Sequence, residues 1–415
     1  MTSRPFITTR RIGLAFAGQV FNEWTRVEIP RSIDDISGSF TLELRDAPRP
    51  YASWPFATLA QLARQPQLWD AVTITLDGRP IMVGYVDRIE PDAAEGRSSV
   101  TVTGRDKTAD LVDCAATVDG PAEYRNVTVL DAAKMICAPF GISVKADVDV
   151  GEPIDRVAID PGETAMSAIE KLVRQRALIV TSDGVGGLLL TRSGRSRAPA
   201  ALVFPGNVYE SRGSFSAEGR YSDYVVKGQM EKAAGGRESK SQLDATAFPL
   251  ATNAQPERVT KQAAREEAGV TINGRAKDEE VTRYRPIVSM GRTQLDAKSA
   301  QKQAEWMMRT TRGRSETIEH SVKGFGSGDA IWRPNTLAFV DDAYQGVNRD
   351  MLIAGVTLAF DEQGEATHLG LTGPEAYDTE PEGDRRKDHR RRTAASTKKT
   401  SAPKALDSTA HRLNE

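Results

Sequence analysis

The stretch that decides the fold is 71-AVTITLDGRPIMVGYV-86. Apolar and polar residues alternate on both sides of Asp77-Gly78, a dipeptide that strongly favours a tight turn between antiparallel strands. A third alternating segment, Ser99–Thr103, follows a turn at Gly96. Short strands joined by tight turns are typical of an antiparallel β-barrel or sandwich, so we expect a β-rich chain.

A second stretch, 336-TLAFVDDAYQGVNRDMLIAGV-356, repeats these features in the same order. A turn at Gly364 and a closing strand at Leu369–Gly373 follow it, and Trp332 precedes it as Trp69 precedes the first stretch. The two stretches agree in which positions are apolar, in where small residues fall and in the order of their turns. This agreement predicts a duplicated β-domain. The alternative is that any two β-meanders share this alternation.

The duplication makes a specific expectation about residue equivalence. Residues 70–104 should superpose on 333–373 as three consecutive strands, with Val83 over Ile353 and Val86 over Val356. A different strand order in the two segments would mean that the repeat reflects generic alternation only.

The chain length of 415 residues is too great for one core, and the pattern changes along it. Helical spacing is expected at 55–68, 127–138 and 295–311. The sequence predicts a β-rich α+β fold with two similar antiparallel β-barrel domains and an intervening small α/β domain. The predicted divisions are 1–106 for the first barrel, 107–203 for the α/β domain, 204–377 for the second barrel with a polar insertion near 231–280, and 378–415 for a disordered basic tail.

Charge is distributed unevenly. The whole chain carries a net charge of −2, yet residues 385–415 hold ten Lys/Arg against three Asp/Glu. Residues 385–415 are therefore +7 and residues 1–384 are −9, and an acidic body is poorly suited to gripping nucleic acid across its surface. No segment approaches the ~18 consecutive apolar residues of a membrane span. Arg10-Arg11 before a short apolar run weakly resembles a twin-arginine signal, but a first β-strand is the better interpretation.

Few residues are suited to catalysis or metal binding. The only cysteines, Cys114 and Cys137, fit neither a disulfide framework nor a zinc site, and both are expected to be small, reduced core residues. The histidines are His320, His368 and two in the tail, so a nucleophile–histidine arrangement would have to use His320 or His368. His368 lies on a predicted strand with Leu369 and Leu371 inward, and it should face solvent.

The glycine-rich and acidic segments are also better explained by turns. Gly184–Gly187 and Gly324–Gly328 lack the helix or the lysine that phosphate-binding loops require. The adjacent carboxylates at 279–280 and 341–342 point to opposite faces of a strand. Asn126-Val127-Thr128 fits a glycosylation sequon, but it more simply caps the next helix. We therefore predict no catalytic, cofactor-binding or metal-binding residue.

Four stretches of the chain resemble a known family. They are Ile29–Asp46, the segment 104-GRDKTADLVDC-114, residues 160–192, and residues 332–377; the second is the most specific. Together they make the chain similar to the baseplate hub proteins of Mu-like contractile-tailed phages, a family related to other contractile-tail hubs and to the base of the type VI secretion spike. The insertion and the tail match less clearly.

The resemblance implies a non-enzymatic virion protein, placed in the tail baseplate and assembled in the bacterial cytoplasm. It implies a homotrimer whose two barrels per chain form a pseudo-six-fold ring. The ring would join the tail tube protein to the central spike protein and contact other baseplate proteins. DNA would only pass through its channel, and no cofactor or membrane insertion is implied. The faces that meet each partner are not implied.

Two alternatives stay open. The hub of a pyocin or secretion-type contractile machine belongs to the same class, and neighbouring genes would distinguish it. A carboxylate-based peptidoglycan hydrolase belongs to another class, and peptidoglycan clearance by the pure protein would reveal it.

The tail generates a first prediction. Because residues 378–415 contain almost no large apolar side chain, they cannot bury enough surface to offset the entropy of ordering. Deleting them should leave trimer formation and the melting temperature almost unchanged, measured by sedimentation and calorimetry. The truncated chain should also lack tight, salt-dependent binding to duplex DNA, since the acidic body remains. A truncation that prevents trimer formation would place the tail in the ring.

Overall fold

We analysed a computed structural model of the chain, which describes residues 12–21, 24–45, 66–94, 97–118, 123–229, 271–291 and 297–378. The predicted helix at 55–68, apart from its last three residues, and the tail beyond residue 378 lie outside these ranges. The described residues form two compact units. The larger takes its described residues from 12–224, 276–287 and 305–378, and the smaller from 225–229, 271–275, 288–291 and 297–304.

The first strand group contains seven strands: β1 (Ile12–Phe16), β2 (Gln19–Phe21), β3 (Arg26–Ser32), β4 (Ser39–Arg45), β5 (Ala71–Leu76), β6 (Arg79–Ala94) and β7 (Arg97–Asp106). Asp77 and Gly78, between β5 and β6, have φ values of 50° and 77°. Both central turn residues therefore adopt the left-handed conformation of the predicted tight turn.

An α/β module follows. Its elements are α1 (Ala109–Asp113), β8 (Glu123–Val127), α2 (Val129–Cys137), β9 (Ser143–Ala146), β10 (Ile154–Ala158), α3 (Ala165–Gln175), β11 (Ile179–Ser182) and β12 (Gly187–Thr191). Thr128 and Thr164 cap the two longer helices, each accepting a backbone N–H three residues on. The module has its own core, built on residues such as Ile136, Ile169 and Leu190. Cys137 is buried there, whereas Cys114 is exposed, so the prediction of a buried Cys114 is wrong.

The remaining elements complete the chain. They are β13 (Ser196–Arg197), β14 (Leu202–Phe204), β15 (Val208–Phe215), β16 (Asp223–Gln229), β17 (Thr271–Lys277), β18 (Pro286–Met290), α4 (Ala297–Arg314), β19 (Glu316–Lys323), β20 (Gly326–Ser327), β21 (Ala330–Ile331), β22 (Thr336–Asp342), β23 (Val347–Asp361) and β24 (Gly364–Thr372). Strands β16, β17 and β18 form a separate sheet in the order β17–β16–β18.

The polar insertion near 231–280 needs correction at its C-terminal end. Residues 271–277 form β17, and Gly274, Ala276 and then Asp278 are buried on alternate positions. A small-residue face is required because a Cβ at Gly274 would lie 2.1 Å from the backbone of Ala300 in α4. Such small residues carry little hydrophobic signal, which explains why the strand was missed. Residues 230–270 lie outside the described ranges.

The second strand group consists of β13–β15, β19 and β22–β24. Together with the seven strands of the first group it forms one sheet of fourteen strands, and most of the ladders in this sheet are antiparallel. Its path runs β15–β19–β24–β23–β3–β4–β7–β6–β5–β1–β2, with β22 on β23 and with β13 and β14 on β22. The prediction of a β-rich α+β fold with antiparallel sheets is confirmed. The two predicted barrels correspond to two strand groups that share the ladder between β3 and β23. The predicted boundary at 203 falls within β14, which already pairs with β22.

The repeat is present and extends beyond the three expected strands. The order β3–β4–β7–β6–β5 in the first group matches β15–β19–β24–β23–β22 in the second. Each β6–β7 and β23–β24 ladder contains one bulge, at Asp87 and at Ala354. Trp69 and Asn335 both have positive φ. Their N–H groups donate to the carbonyls of Val86 and Ile353, at 3.0 and 2.8 Å.

These landmarks correct the residue equivalence. Val86 and Ile353 each come directly before the bulge of their ladder. Each also accepts the hydrogen bond from the residue with positive φ. Val86, not Val83, is therefore equivalent to Ile353. The expected alignment is therefore wrong by three residues, although the strand order is confirmed. The alternation of apolar residues has a period of two and does not reveal where an unpaired bulge residue has been inserted.

Two strand glycines, Gly104 on β7 and Gly355 on β23, generate a prediction. A Cβ on Gly104 would lie 2.0 Å from the carbonyl oxygen of Tyr85, and the contact is to backbone that cannot rotate away. We expect Gly104→Ala to destabilise the protein by about 2 kcal/mol, the range for overpacked sites. Gly355→Ala is the matched strand control, since its Cβ would meet nothing closer than 3.8 Å. Urea unfolding should separate the two variants, and equal midpoints would contradict the close approach.

Candidate functional site

His320, one of two histidines available to a catalytic arrangement, is completely buried on β19. Its Nε2 lies 2.9 Å from Oδ2 of Asp342, at the end of β22. Asp342 also accepts a hydrogen bond from Ser211 Oγ at 2.5 Å and from the backbone N–H of Gln345 at 2.9 Å. The cluster thus ties together β15, β19 and β22.

The order of these groups does not suit nucleophilic catalysis. The Ser211 hydroxyl donates to the carboxylate rather than to an imidazole, so no base lies on the serine. Burial lowers the pKa of His320, and the neighbouring Asp342 only partly offsets this. Nδ1 of His320 is buried and has no hydrogen-bond partner among the described residues, so a proton added there would find no acceptor in that part of the chain. A neutral imidazole donating from Nε2 is therefore the form that fits.

The Asp342 carboxylate is stabilised in its ionised form. Burial opposes ionisation, but hydrogen bonds from Ser211, Gln345 and His320 together hold its pKa below the ordinary value. A buried carboxylate with this many donors is a structural anchor, because leaving any of its oxygens unpaired would be costly. The cluster therefore fixes the strands of the second group.

His368 is exposed on β24, as its strand alternation predicts. Its Nδ1 lies 2.9 Å from Ser321 Oγ in a groove of about 530 Å³, which β3, β15, β19, β23 and β24 line. Within the described ranges, no carboxylate lies against Nε2 of His368, so the pair lacks the third group that would orient a general base. The described residues also contain no group of three His, Cys, Asp or Glu side chains placed to hold a metal ion.

The segment Gly104–Cys114 joins the first strand group to the α/β module. Asp106 is buried, and its carboxylate accepts hydrogen bonds from Ser182 Oγ at 2.6 Å and from the Thr108 N–H at 2.9 Å. Burial raises the pKa of Asp106 despite these donors. Arg105 reaches the carboxylates of Asp113 and Asp87 at 2.7 and 2.8 Å, which raise its pKa. The motif therefore links the first strand group, through Asp87, to the α/β module, through Ser182.

The third feature of interest is a pair of strand edges. On β3, residues Val27–Ser32 pair with Gly355–Phe360 of β23, beyond the part of β23 that pairs with β22. In the other half of the repeat, the pairing of β5 with β6 ends at Tyr85. From Asp87 onward, the described part of β6 has a ladder only on its β7 side. Likewise, β15 pairs only with β19 among the described strands. These edges are the surfaces best suited to association.

Sequence reasoning did not find the cluster around Asp342, the contact between Asp106 and Ser182, or the strand edges. The partners in the polar cluster lie 22 and 131 residues apart, and Asp106 and Ser182 lie 76 apart. No local spacing links such residues, and strand edges become visible only when the pairing is known.

Comparison with known proteins agrees with this architecture. Residues 11–106 match the family described as the N-terminal domain of Mu phage baseplate assembly protein GpP-like, residues 108–192 the second domain of baseplate hub protein gp44-like, and residues 296–380 the fourth domain of Mu phage baseplate assembly protein GpP. Three hub domains thus follow one another along most of the chain. The chain belongs to the Mu-like baseplate hub family.

Individual members of the hub family agree over almost the whole length. The baseplate hub protein gp44 of Escherichia phage Mu is 29% identical over 375 residues, which cover 89% of each chain. The 43 kDa tail protein of prophage MuSo2 from Shewanella oneidensis is 29% identical, with a TM-score of 0.71 over 89% of this chain and 100% of that one. A tail protein from Neisseria meningitidis, 19% identical with a TM-score of 0.65, shares the fold.

The buried histidine generates a pH prediction. Because the pKa of His320 is lower in the folded protein, the unfolded chain binds more protons below its ordinary pKa of about 6.5. Stability should therefore fall as the pH drops from about 7 to 5. His320→Gln should reduce this fall, measured by urea unfolding midpoints at each pH. Ser211→Ala, the control, should lower stability by about 1 kcal/mol at every pH and keep the fall. An unchanged pH dependence in His320→Gln would contradict the assignment.

Proposed function

We propose that three copies of this chain form a pseudo-six-fold ring that is the structural hub of a contractile phage tail baseplate. The observation that carries this proposal is the five-strand repeat, β3–β4–β7–β6–β5 and β15–β19–β24–β23–β22. One chain then provides two similar positions, and three chains provide six. The hub names of the matched families and of the Mu relative support the same role.

A ring of this kind solves a symmetry problem. A six-fold tail tube and a three-fold central spike cannot share equivalent contacts unless the protein between them offers both symmetries. Two similar strand groups in each chain present six comparable surfaces, while their chemical differences repeat only three times. We infer that the tail tube, the central spike and other baseplate proteins are the partners.

The role proposed is non-enzymatic. The two histidines of the body occupy a buried anchor and an incomplete Ser321–His368 pair, neither of which provides an activated nucleophile. The relatives are described as baseplate hub and tail proteins. The carboxylates of Asp35, Glu210 and Glu319 line the groove, and peptidoglycan clearance by the pure protein is the measurement that tests a hydrolase role.

DNA would pass through the ring without being held. The −9 charge of residues 1–384 favours a neutral or acidic channel wall, since lysines along it would bind phosphate and slow the passage. The location that follows is the virion baseplate, with assembly in the cytoplasm of the bacterial host.

The proposal predicts the mass of the assembly. At micromolar concentration, sedimentation equilibrium should give about three times 45.2 kDa. Negative-stain images should show a closed ring with six similar densities. A persistent monomer, or a dimer closed by two-fold symmetry, would rule out the ring.

A further inference from the structure

We propose that β15 of one chain pairs in antiparallel fashion with residues 88–93 of β6 in the next chain, and that this ladder closes the ring. The inference rests on the proposed ring and adds the surface, the strands and the register by which its subunits join.

The argument begins with the ladder that already exists within the chain. In the repeat, β15 corresponds to β3 and β6 corresponds to β23. Strand β3 has two neighbours, β4 and β23, whereas β15 has only β19 among the described strands. Strand β23 has three neighbours, and β6 has two. The chain therefore contains the ladder between β3 and β23, whereas the equivalent ladder between β15 and β6 is absent among its described strands. A neighbouring copy supplies both missing edges at once.

The internal ladder also fixes the register. Leu42 pairs with a residue of β7, and His320 pairs with the residue at the same repeat position of β24, so Leu42 is equivalent to His320. Val27 pairs with Leu42 and Ser211 pairs with His320, so Val27 is equivalent to Ser211. The bulges make Arg88 equivalent to Gly355. Transferring the observed β3–β23 pairs then sets three cross-chain pairs. They are Phe215 with the partner's Ile89, Ser214 with the partner's Glu90, and Arg212 with the partner's Asp92.

The side chains in this register are compatible. Phe215 is 57% exposed in the isolated chain, so its ring is available for a contact across the strand edge. Ile89 is partly buried against the large core, so it would extend that core to Phe215. Arg212 opposite Asp92 brings unlike charges together across the ladder, a pairing that favours one register over its neighbours.

The backbone is compatible as well. The Ile33 N–H donates to the Ala354 carbonyl at 2.9 Å, which sets the hydrogen-bonded positions of the internal ladder. By equivalence, Ser214 and Glu90 occupy a non-hydrogen-bonded pair, where the two Cα atoms come within about 4.5 Å. Pro91 can accept from Gly213 although it has no N–H to donate, so the ladder would lose one hydrogen bond there. The remaining pairs of the register keep both of their partners, so the loss is confined to this one position.

Disulfide cross-linking tests the register directly. In a Cys114→Ser background, which removes the exposed thiol, the double variant Ser214→Cys/Glu90→Cys should form disulfide-linked trimers under mild oxidation. The Cα separation at a non-hydrogen-bonded pair lies within the disulfide range. Mixing the two single variants should give linked dimers, and neither single variant should cross-link alone.

The matched control shifts one residue along β6. Ser214→Cys/Ile89→Cys places the second thiol on the opposite face of the strand, so linked trimers should be reduced at least tenfold. Equal cross-linking in both double variants, or more in the control, would overturn the register. No linkage in either variant, while sedimentation still gives a trimer, would overturn the ladder and leave the hub proposal intact. If no trimer forms in the unmodified chain, both proposals fail.

A charged substitution provides an independent measurement. Phe215→Asp should abolish trimers at micromolar concentration and change the melting temperature of the monomer little, because the side chain is more than half exposed in the isolated chain. Tyr344→Asp is the control, since Tyr344 is 80% exposed in the turn between β22 and β23 and belongs to neither strand of the proposed ladder. A Phe215→Asp protein that remains trimeric would count against the ladder. Loss of trimers in both variants would do the same, because the effect would not be specific to the edge.

Discussion

Backbone hydrogen bonding between β3 and β23 is the interaction on which the large sheet depends. Every N–H and C=O of a buried strand needs a partner, and the two strands lie more than 300 residues apart in sequence. Their ladder turns two strand groups into one sheet with a shared core, to which both Ile29 and Leu358 contribute. Without it, each group would expose an unsatisfied edge. The relation between the two halves of the repeat is therefore set by main-chain geometry.

The α/β module is attached by a different kind of contact. Its hairpin meets the first strand group through the Val83 N–H, which donates to the Gly184 carbonyl at 3.0 Å, and through the Ser182 hydroxyl on Asp106. These hydrogen bonds are directional, so they orient the module against the first strand group. The most specific segment of the resemblance, 104-GRDKTADLVDC-114, coincides with this junction. Its polar residues are explained by the need to satisfy a buried carboxylate where two domains meet.

Local signals predicted much of this architecture. Asp77-Gly78 specified its turn, Thr128 and Thr164 specified helix starts, and alternation located the strands of the repeat. What local signals could not provide was pairing between distant strands. The three-residue error in the repeat arose because a bulge inserts a residue without altering the apolar pattern. Strand β17 was missed because its inward face consists of small residues, and the Ser211–His320–Asp342 cluster was missed because its members come from three separate strands.

That polar cluster has a counterpart in the first group. Val27 and Leu42 occupy the positions of Ser211 and His320, and Leu76 that of Asp342, and all three are buried and apolar. The two copies of the repeat have thus diverged in chemistry while keeping one backbone. Where one copy buries an imidazole, a carboxylate and a hydroxyl, the other buries three apolar side chains. In the proposed ring of three chains the two kinds of position would alternate, so the polar clusters would recur three times on a backbone that recurs six times.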